Sequence, residues 1–286
     1  ADRVGISILE NAGYDPHAMA SFFEIMQKGT RYVEGSAPSF LRTHPITSER
    51  IADVSLRISN ARYRMMPYSP EFDYVRAKIL ANSGTAGQAV SLFQGNLQDK
   101  RYTSETAQHY GLALAMLRNN NPDGASRELS WLKANAPSHP FFATLAANIE
   151  VTRDNPTQAA KAYQAGLAIY PGHRALIYGY LEHFLRIHQP QQALKLLEEK
   201  QSMYPDDATM YELKSRAYAM LGKNLLSHQA QGEAYFRRYN VPKAYEQMDL
   251  AVKSGDGDFY QQSIVEARLK ELRAMIDEPK KSGWFN

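Results

Sequence analysis

The sequence predicts an all-α protein in which a short N-terminal helical domain is followed by an array of helical repeats. Helix-length apolar periodicity recurs along the chain, and we find no stretch with the alternating pattern of a β-strand. Proline follows a polar or small residue at many predicted helix starts, as in Asn121-Pro122, Asn155-Pro156 and Gln189-Pro190. These two observations favour helices joined by short turns.

An internal repeat covers about Gly111 to Pro205. Ala125, Ala159 and Ala193 recur at intervals of 34 residues, and Pro137, Pro171 and Pro205 recur at the same interval. This is the period of a tetratricopeptide repeat, which consists of two antiparallel helices and a turn. We expect each alanine to lie where the two helices cross, and the larger residue four positions later, Leu129, Tyr163 or Leu197, to fill the space beside it.

The repeat pattern extends in both directions with less regularity. Ala89 and Phe93 indicate an earlier unit, and Ala244 and Met248 repeat the small-then-large spacing after Pro205. A final helix from about 258 to 276 is predicted to cap the array. The Met65–Tyr68 segment breaks the preceding helix, so we divide the chain into domains at residues 1–66 and 67–286.

Composition excludes several classes of function. The chain of 286 residues has no cysteine, which excludes disulfides and thiolate zinc sites and suits the periplasm. A net charge of +3, with both signs interspersed, argues against a nucleic-acid partner. No apolar run is long enough for a transmembrane segment. The start at Ala1, without a signal-peptide pattern, favours an internal fragment of a longer protein.

The repeats predict a binding surface on the first helix of each pair. In a stacked array these helices line the concave face, and the repeat register places aromatic, amide and charged residues there. Such a mixture suits a peptide ligand, although inter-repeat packing is an equal alternative for Tyr110 and Tyr178. The predicted partner-binding residues are Tyr110, Arg118, Phe141, Asn148, Tyr178, Glu182 and Arg186.

No complete catalytic constellation is present in the chain. None of the eight histidines forms a His-Glu-x-x-His pair, and we find no phosphate-binding glycine loop or nucleophile elbow. His183 and His188 are five residues apart, which separates them around a helix, so we interpret them as ordinary helix residues.

Two N-terminal fragments carry a family resemblance. The segments Ala1–Gly5 and Asn11–Pro16, followed by Thr43–Pro45 and Arg50–Asp53, resemble periplasmic, repeat-bearing members of the HtpX-like gluzincin metallopeptidases. The resemblance implies a zinc protease domain, of which residues 1–66 form the C-terminal part, joined to tetratricopeptide repeats. It also implies partners among outer-membrane β-barrel proteins and their assembly machinery.

The resemblance further implies roles for three residues. Asp2 matches an aspartate that orients a zinc-ligating histidine, and His44 and Arg50 match residues near the zinc that stabilise an oxyanion or bind substrate. His44 also matches a removable fourth zinc ligand, which would keep the enzyme latent. The alternatives are a first-turn aspartate, a loop histidine and a solvated arginine.

The principal zinc ligands of that family would lie before Ala1. We therefore expect zinc in the complete protein, none in this chain alone, and no cleavage by this chain on its own. The alternative from another class is a non-catalytic repeat scaffold for protein–protein interaction.

Overall fold

The computed structural model describes residues 1–31 and 48–277, with side chains of residues 29–31 excepted. The described residues form fifteen α-helices and a short 3₁₀ helix, Gln201–Met203, with no strand, which confirms the predicted all-α fold. The chain divides into two compact units, Ala1–Pro70 and Glu71–Asn286. We call these unit 1 and unit 2.

Unit 1 contains helices α1 (Asp2–Asn11), α2 (His17–Arg31) and α3 (Ser48–Ile58). Its buried apolar side chains are few and come from all three helices: Ile6, Phe23, Val54 and Ile58. Gly13 has a φ of 84° just beyond α1, as expected for a glycine that ends a helix.

The buried face of α1 differs from the one that periodicity predicts. Val4 and Ile8 share one face of the helix, but they are 63% and 61% exposed, whereas Ile6 on the opposite face is buried. Helix α1 is apolar on two sides, so the i, i+4 pattern alone does not identify the side that packs in this unit.

Unit 2 continues the chain with helices joined by short turns. In order they are α4 (Pro70–Ala81), α5 (Ala86–Gln98), α6 (Glu105–Arg118), α7 (Pro122–Asn135), α8 (Pro140–Thr152), α9 (Pro156–Ile169), α10 (Arg174–Arg186), α11 (Pro190–Lys200), α12 (Ala208–Met220), α13 (Asn224–Arg237), α14 (Val241–Lys253) and α15 (Phe259–Asp277). The first helices of successive repeats, α6, α8, α10 and α12, alternate with the second helices, α7, α9, α11 and α13.

The turns within the repeats share one local design. Asn120, Asp154 and His188 each adopt a positive φ of 54° to 56° and are followed by one residue and then a proline that opens the second helix. Asparagine and aspartate tolerate this left-handed conformation better than most residues. The same geometry therefore reverses the chain at each of the three turns.

The predicted crossing residues are all buried. Ala125, Ala159 and Ala193 are completely inaccessible to solvent, and Leu129, Tyr163 and Leu197 are buried beside them. A methyl group at the crossing permits close approach of the two helices, and the larger side chain fills the space one turn later. The structure confirms this part of the repeat prediction.

Packing between one repeat and the next alternates in size. A Cβ added to Gly111 on α6 would lie 2.3 Å from the ring of Phe93 on α5, and one on Gly179 would lie 2.7 Å from the Tyr163 hydroxyl on α9. In the repeats between and after these, the residues at the glycine position are the buried leucines Leu145 and Leu213. Phe93 and Tyr163 thus pack against a glycine on the following helix. In the other repeats, the residues at both equivalent positions are leucines.

The C-terminal helices close the array less regularly, as the sequence indicated. Ala244 and Met248 of α14 are buried, and Val265 and Leu272 of α15 complete the last cluster. The Asp256 carboxylate accepts hydrogen bonds from the backbone N–H groups of Asn224 and Leu225 at the start of α13. One loop thereby satisfies the free N–H groups of a neighbouring helix.

Candidate functional site

The N-terminal candidate site centres on a bidentate ion pair between α1 and α3. Arg50 donates from Nε to Asp2 Oδ2 at 2.7 Å and from Nη2 to Asp2 Oδ1 at 2.8 Å. Asp2 lies in the first turn of α1 and Arg50 in the first turn of α3. The Arg50 guanidinium also lies 5.1 Å from the centroid of the Phe23 ring. Two residues predicted to belong to one site are thus brought together, 48 positions apart in sequence.

The ion pair fixes the charge of both groups. Hydrogen bonds from Arg50 hold the pKa of the Asp2 carboxyl below its ordinary value, and the same bonds raise the pKa of Arg50. Asp2 therefore stays ionised and accepts two charge-assisted hydrogen bonds in a fixed plane. It holds Arg50 in one orientation, which a single hydrogen bond would not do.

The roles expected for His44 and Asp2 at a zinc site stay predictions. His44 lies outside the described residues, so its role as a fourth zinc ligand or an oxyanion stabiliser remains a prediction. Asp2 was expected to face a ligand histidine, and the partner found for it among the described residues is Arg50.

The described residues do not by themselves fit a zinc site. No group of three histidine or carboxylate side chains that could hold a metal ion occurs among residues 1–31 and 48–277. A catalytic zinc needs about three protein ligands. The described helices also include none long and apolar enough to cross a bilayer.

Tyr110, one of the predicted partner-binding residues of unit 2, lies in the packed interior. It is only 4% exposed and packs among Tyr74, Phe141 and Phe142. Its burial also raises the pKa of its hydroxyl. Tyr110 thus packs between repeats, as in the packing alternative, and its contact with a ligand stays a prediction.

Phe141 and Asn148, both on α8, are partly buried. The Phe141 ring stacks on Tyr110 with centroids 5.9 Å apart. Asn148 Oδ1 accepts a hydrogen bond of 3.2 Å from the Tyr163 hydroxyl. Both side chains are thus engaged inside the repeat array, although part of each faces solvent.

Arg118 and Arg186 occupy equivalent positions at the ends of α6 and α10. Arg118 donates to the backbone carbonyls of Ala81, Ser83 and Gly84 at the end of α4. Arg186 donates to the Val151 carbonyl at 3.3 Å, at the end of α8, and lies 3.7 Å from the Asp154 carboxylate. A cation near a helix C-terminus satisfies free carbonyls and complements the helix dipole. Both arginines therefore link successive repeats.

Tyr178 and Glu182 on α10 make similar links to the next repeat. The Tyr178 hydroxyl donates to Asp207, the residue that caps α12. Glu182 pairs with Arg216 at 2.5 Å, while each of these side chains remains about half exposed. Sequence spacing placed these residues on one face, but only the structure shows that they have intramolecular partners about one repeat away.

The amino-acid sequence of this chain is similar to those of known proteins. Residues 1–58 match the model of Peptidase family M48. The β-barrel assembly-enhancing protease of Escherichia coli K12 is 27% identical, with 98% of this chain and 57% of the relative covered. That of Yersinia pestis is 25% identical, with 98% of this chain and 58% of the relative covered.

Two solved structures are also similar. MamA residues 41 to the end from Desulfovibrio magneticus RS-1 has a TM-score of 0.42 and 19% identity, covering 61% of this chain and 98% of that one. A tetratricopeptide repeat protein from Parabacteroides merdae has a TM-score of 0.42 and 14% identity, covering 79% and 90%.

The curated relatives are longer than the chain, which spans little more than half of their length. The predicted resemblance is nevertheless confirmed over nearly the whole chain. The protein is similar to β-barrel assembly-enhancing proteases, with an N-terminal segment like that of Peptidase family M48.

Proposed function

We propose that this chain is the C-terminal portion of a periplasmic zinc metalloprotease and chaperone that acts in the assembly and quality control of outer-membrane proteins. The observation that carries the proposal is the combination of an M48-like segment, holding the Asp2–Arg50 pair, with a helical repeat unit in one chain. Relatives that match 98% of the chain are named β-barrel assembly-enhancing proteases.

In this proposal, residues 1–66 belong to the protease domain and contribute His44 and Arg50 to its site. Zinc bound in the complete protein would supply a Lewis acid and an activated water for peptide hydrolysis. Arg50, oriented by Asp2, would bind the substrate backbone or a developing oxyanion. Asp2 would act as a positioning residue, because its described contact is with Arg50.

Residues 67–286 would bind the substrate or the assembly machinery. Glu182 and Arg186 are the most accessible of the predicted partner-binding residues of α10. Because Glu182 already pairs with Arg216, a partner would have to join or replace an existing ion pair. We propose outer-membrane β-barrel proteins and their assembly machinery as partners of this unit.

The test is hydrolysis of a denatured outer-membrane β-barrel protein by the complete protein carrying Arg50→Lys. Lysine keeps the charge but loses the planar fork that pairs with Asp2. We expect kcat/KM to fall by about tenfold or more, because an oriented donor contributes on the order of 1.4 kcal/mol or more to transition-state binding.

Arg57→Lys is the matched control. Arg57 lies on the same helix and pairs with Asp53 at 3.0 Å on the surface. We expect its activity to stay within about twofold of the parent protein, because exposed pairs contribute little. Equal activity of the two variants would contradict the role of Arg50, and a complete protein that hydrolyses nothing would contradict the proteolytic function.

A non-catalytic scaffold is the second candidate, and the size of unit 2 favours it. In that case the complete protein would bind unfolded β-barrel proteins with the same affinity before and after metal removal and would not cleave them. Finding a His-Glu-x-x-His sequence upstream in the gene would favour the protease instead.

A further inference from the structure

A cavity of about 430 Å³ lies between α7, α8 and α9 of unit 2. This volume is within the usual range of about 300–1,000 Å³ for ligand pockets. Its floor is apolar and made of small side chains, with Phe142 as one wall. The small residues are Ala143, Ala146, Ala162, Ala165 and Gly166.

The neighbouring repeats show why this cavity exists. Moving back by the repeat length of 34 residues replaces Ala143 by His109 and Ala165 by Trp131, and these two rings stack with centroids 3.5 Å apart. The preceding repeat therefore fills the corresponding space with its own aromatic pair.

The following repeat carries larger side chains at three equivalent positions, beside a different cavity of about 610 Å³ whose lining includes charged residues such as Lys195 and Glu199. One period later, the residues equivalent to Ala143, Ala146 and Ala162 are Ile177, Tyr180 and Leu196, all of which are buried. The described repeats on either side thus carry bulky side chains where this one carries alanines. The space left open has the size and lining of a site for an aromatic ring.

The rim of the cavity is polar and carries a positive charge. Lys133 is exposed there, and none of the residues that line the cavity is a carboxylate. Ser138 and Tyr170 share a hydrogen bond of 2.7 Å at the rim, and Ile169 is 65% exposed beside them. His139 lies 3.5 Å from Glu71 and its Nδ1 accepts the Phe141 N–H, so Lys133 is the cation available to an incoming group.

We propose that this cavity, which we call the alanine pocket, binds an aromatic side chain of a partner polypeptide that carries acidic residues beside it. The ring takes the volume that Trp131 and His109 fill in the preceding repeat, and a neighbouring carboxylate pairs with Lys133. The identification of the partner as a polypeptide rests on the function proposed for unit 2, whereas the preference for an aromatic ring with a carboxylate beside it follows from the pocket itself.

The test uses a short synthetic peptide with one tryptophan flanked by aspartates, titrated into the full chain labelled at alanine and isoleucine methyl groups. We expect saturable NMR shifts at the methyl groups of Ala143, Ala146 and Ile169. A peptide with alanine in place of tryptophan should produce no saturable shift. A peptide with lysines in place of the aspartates should bind at least about threefold more weakly, as expected for one exposed ion pair.

Ala165→Trp fills the pocket with the residue found at the equivalent position of the preceding repeat. We expect it to weaken binding by about tenfold or more, a loss of about 1.4 kcal/mol. Ala134→Trp is the control, because Ala134 is exposed on α7 and does not line the pocket. Lys133→Glu should weaken binding by about threefold or more, whereas Lys161→Glu, an exposed lysine outside the lining, should not.

Several results would overturn the proposal. They include the absence of saturable shifts, equal binding by the Ala165→Trp and Ala134→Trp variants, and tighter binding of the lysine-flanked peptide. Binding of free N-acetyltryptophan without binding of the peptide would also overturn it, because the pocket would then select a small molecule. If Ala165→Trp fails to fold by circular dichroism, the Lys133→Glu variant and the peptide series decide. None of these readouts depends on proteolysis, so failure here is distinct from failure of the proposed protease function.

Discussion

The glycine packing of unit 2 predicts that replacing Gly179 by alanine lowers the free energy of unfolding. In most helices the same substitution raises it. In Gly179→Ala, the new Cβ would lie 2.7 Å from Tyr163 Oη and 2.8 Å from Tyr163 Cε1. Helix propensity alone would make this substitution stabilising by about 1 kcal/mol. Overpacking in a filled core costs about 1–3 kcal/mol. We therefore expect a net loss of roughly 1 kcal/mol in the free energy of unfolding.

Tyr163→Leu should relieve the clash, because leucine is the residue at both equivalent positions, 129 and 197. Alone, this change removes ring area and the hydrogen bond to Asn148, and we expect it to cost roughly 1–3 kcal/mol. In the double variant, Gly179→Ala should become neutral or stabilising. The coupling energy between the two sites should then be about 1–2 kcal/mol.

The assay is urea unfolding of the four proteins, followed by circular dichroism. Gly95→Ala is the control, because Gly95 lies within α5 and an added Cβ would have no neighbour within 4 Å. The control should gain up to about 1 kcal/mol. If Gly179→Ala is as stabilising as the control, or if the two changes at 163 and 179 are simply additive, the packing argument is wrong.

Two further predictions concern charged and titratable groups on α10. His183 is buried, and its burial lowers the pKa of its imidazole, so the unfolded chain takes up this proton first as pH falls below about 6.5. The free energy of unfolding should therefore fall between about pH 7.5 and about pH 5.5, and His183→Phe should reduce that slope; an unchanged slope would refute the assignment. Arg186→Ala should lower the free energy of unfolding by about 1 kcal/mol through loss of its bond to the Val151 carbonyl, as measured by urea unfolding. The exposed control Arg127→Ala should change it by less than about 0.5 kcal/mol, and an equal effect of the two changes would argue against the repeat-linking role of Arg186.

The repeat architecture could be predicted from the sequence because the residues that indicate it recur at a fixed, short interval. Ala125, Ala159 and Ala193 are small for one physical reason, and that reason recurs every 34 residues. The alternation of Gly111 and Gly179 with leucines also carries this period. Alignment of the repeats by their first helices could have revealed it before the structure.

The binding residues were harder to predict because sequence position gives a face but does not give partners. Arg186 and Glu182 are on the expected helix, yet their bonds reach residues about one repeat away. Tyr110 belongs to the same face but is buried by aromatic rings from other helices. The contacts depend on how neighbouring repeats stack, which the local pattern does not specify.

The Asp2–Arg50 pair illustrates the opposite case. Its two members were selected separately by resemblance, and nothing in their spacing indicates that they would pair. An arginine in the first turn of α3 could pair with many surface groups. The same is true of a carboxylate in the first turn of α1. Only the packing of the two helices brings the atoms within hydrogen-bonding distance.

The most direct test of the central claim is the metal dependence of proteolysis by the complete protein. Native mass spectrometry should find about one zinc per chain, and removal of zinc should abolish hydrolysis of a denatured outer-membrane β-barrel protein, with activity returning when zinc is restored. Undiminished hydrolysis by a preparation shown to be metal-free would contradict the proposed zinc protease.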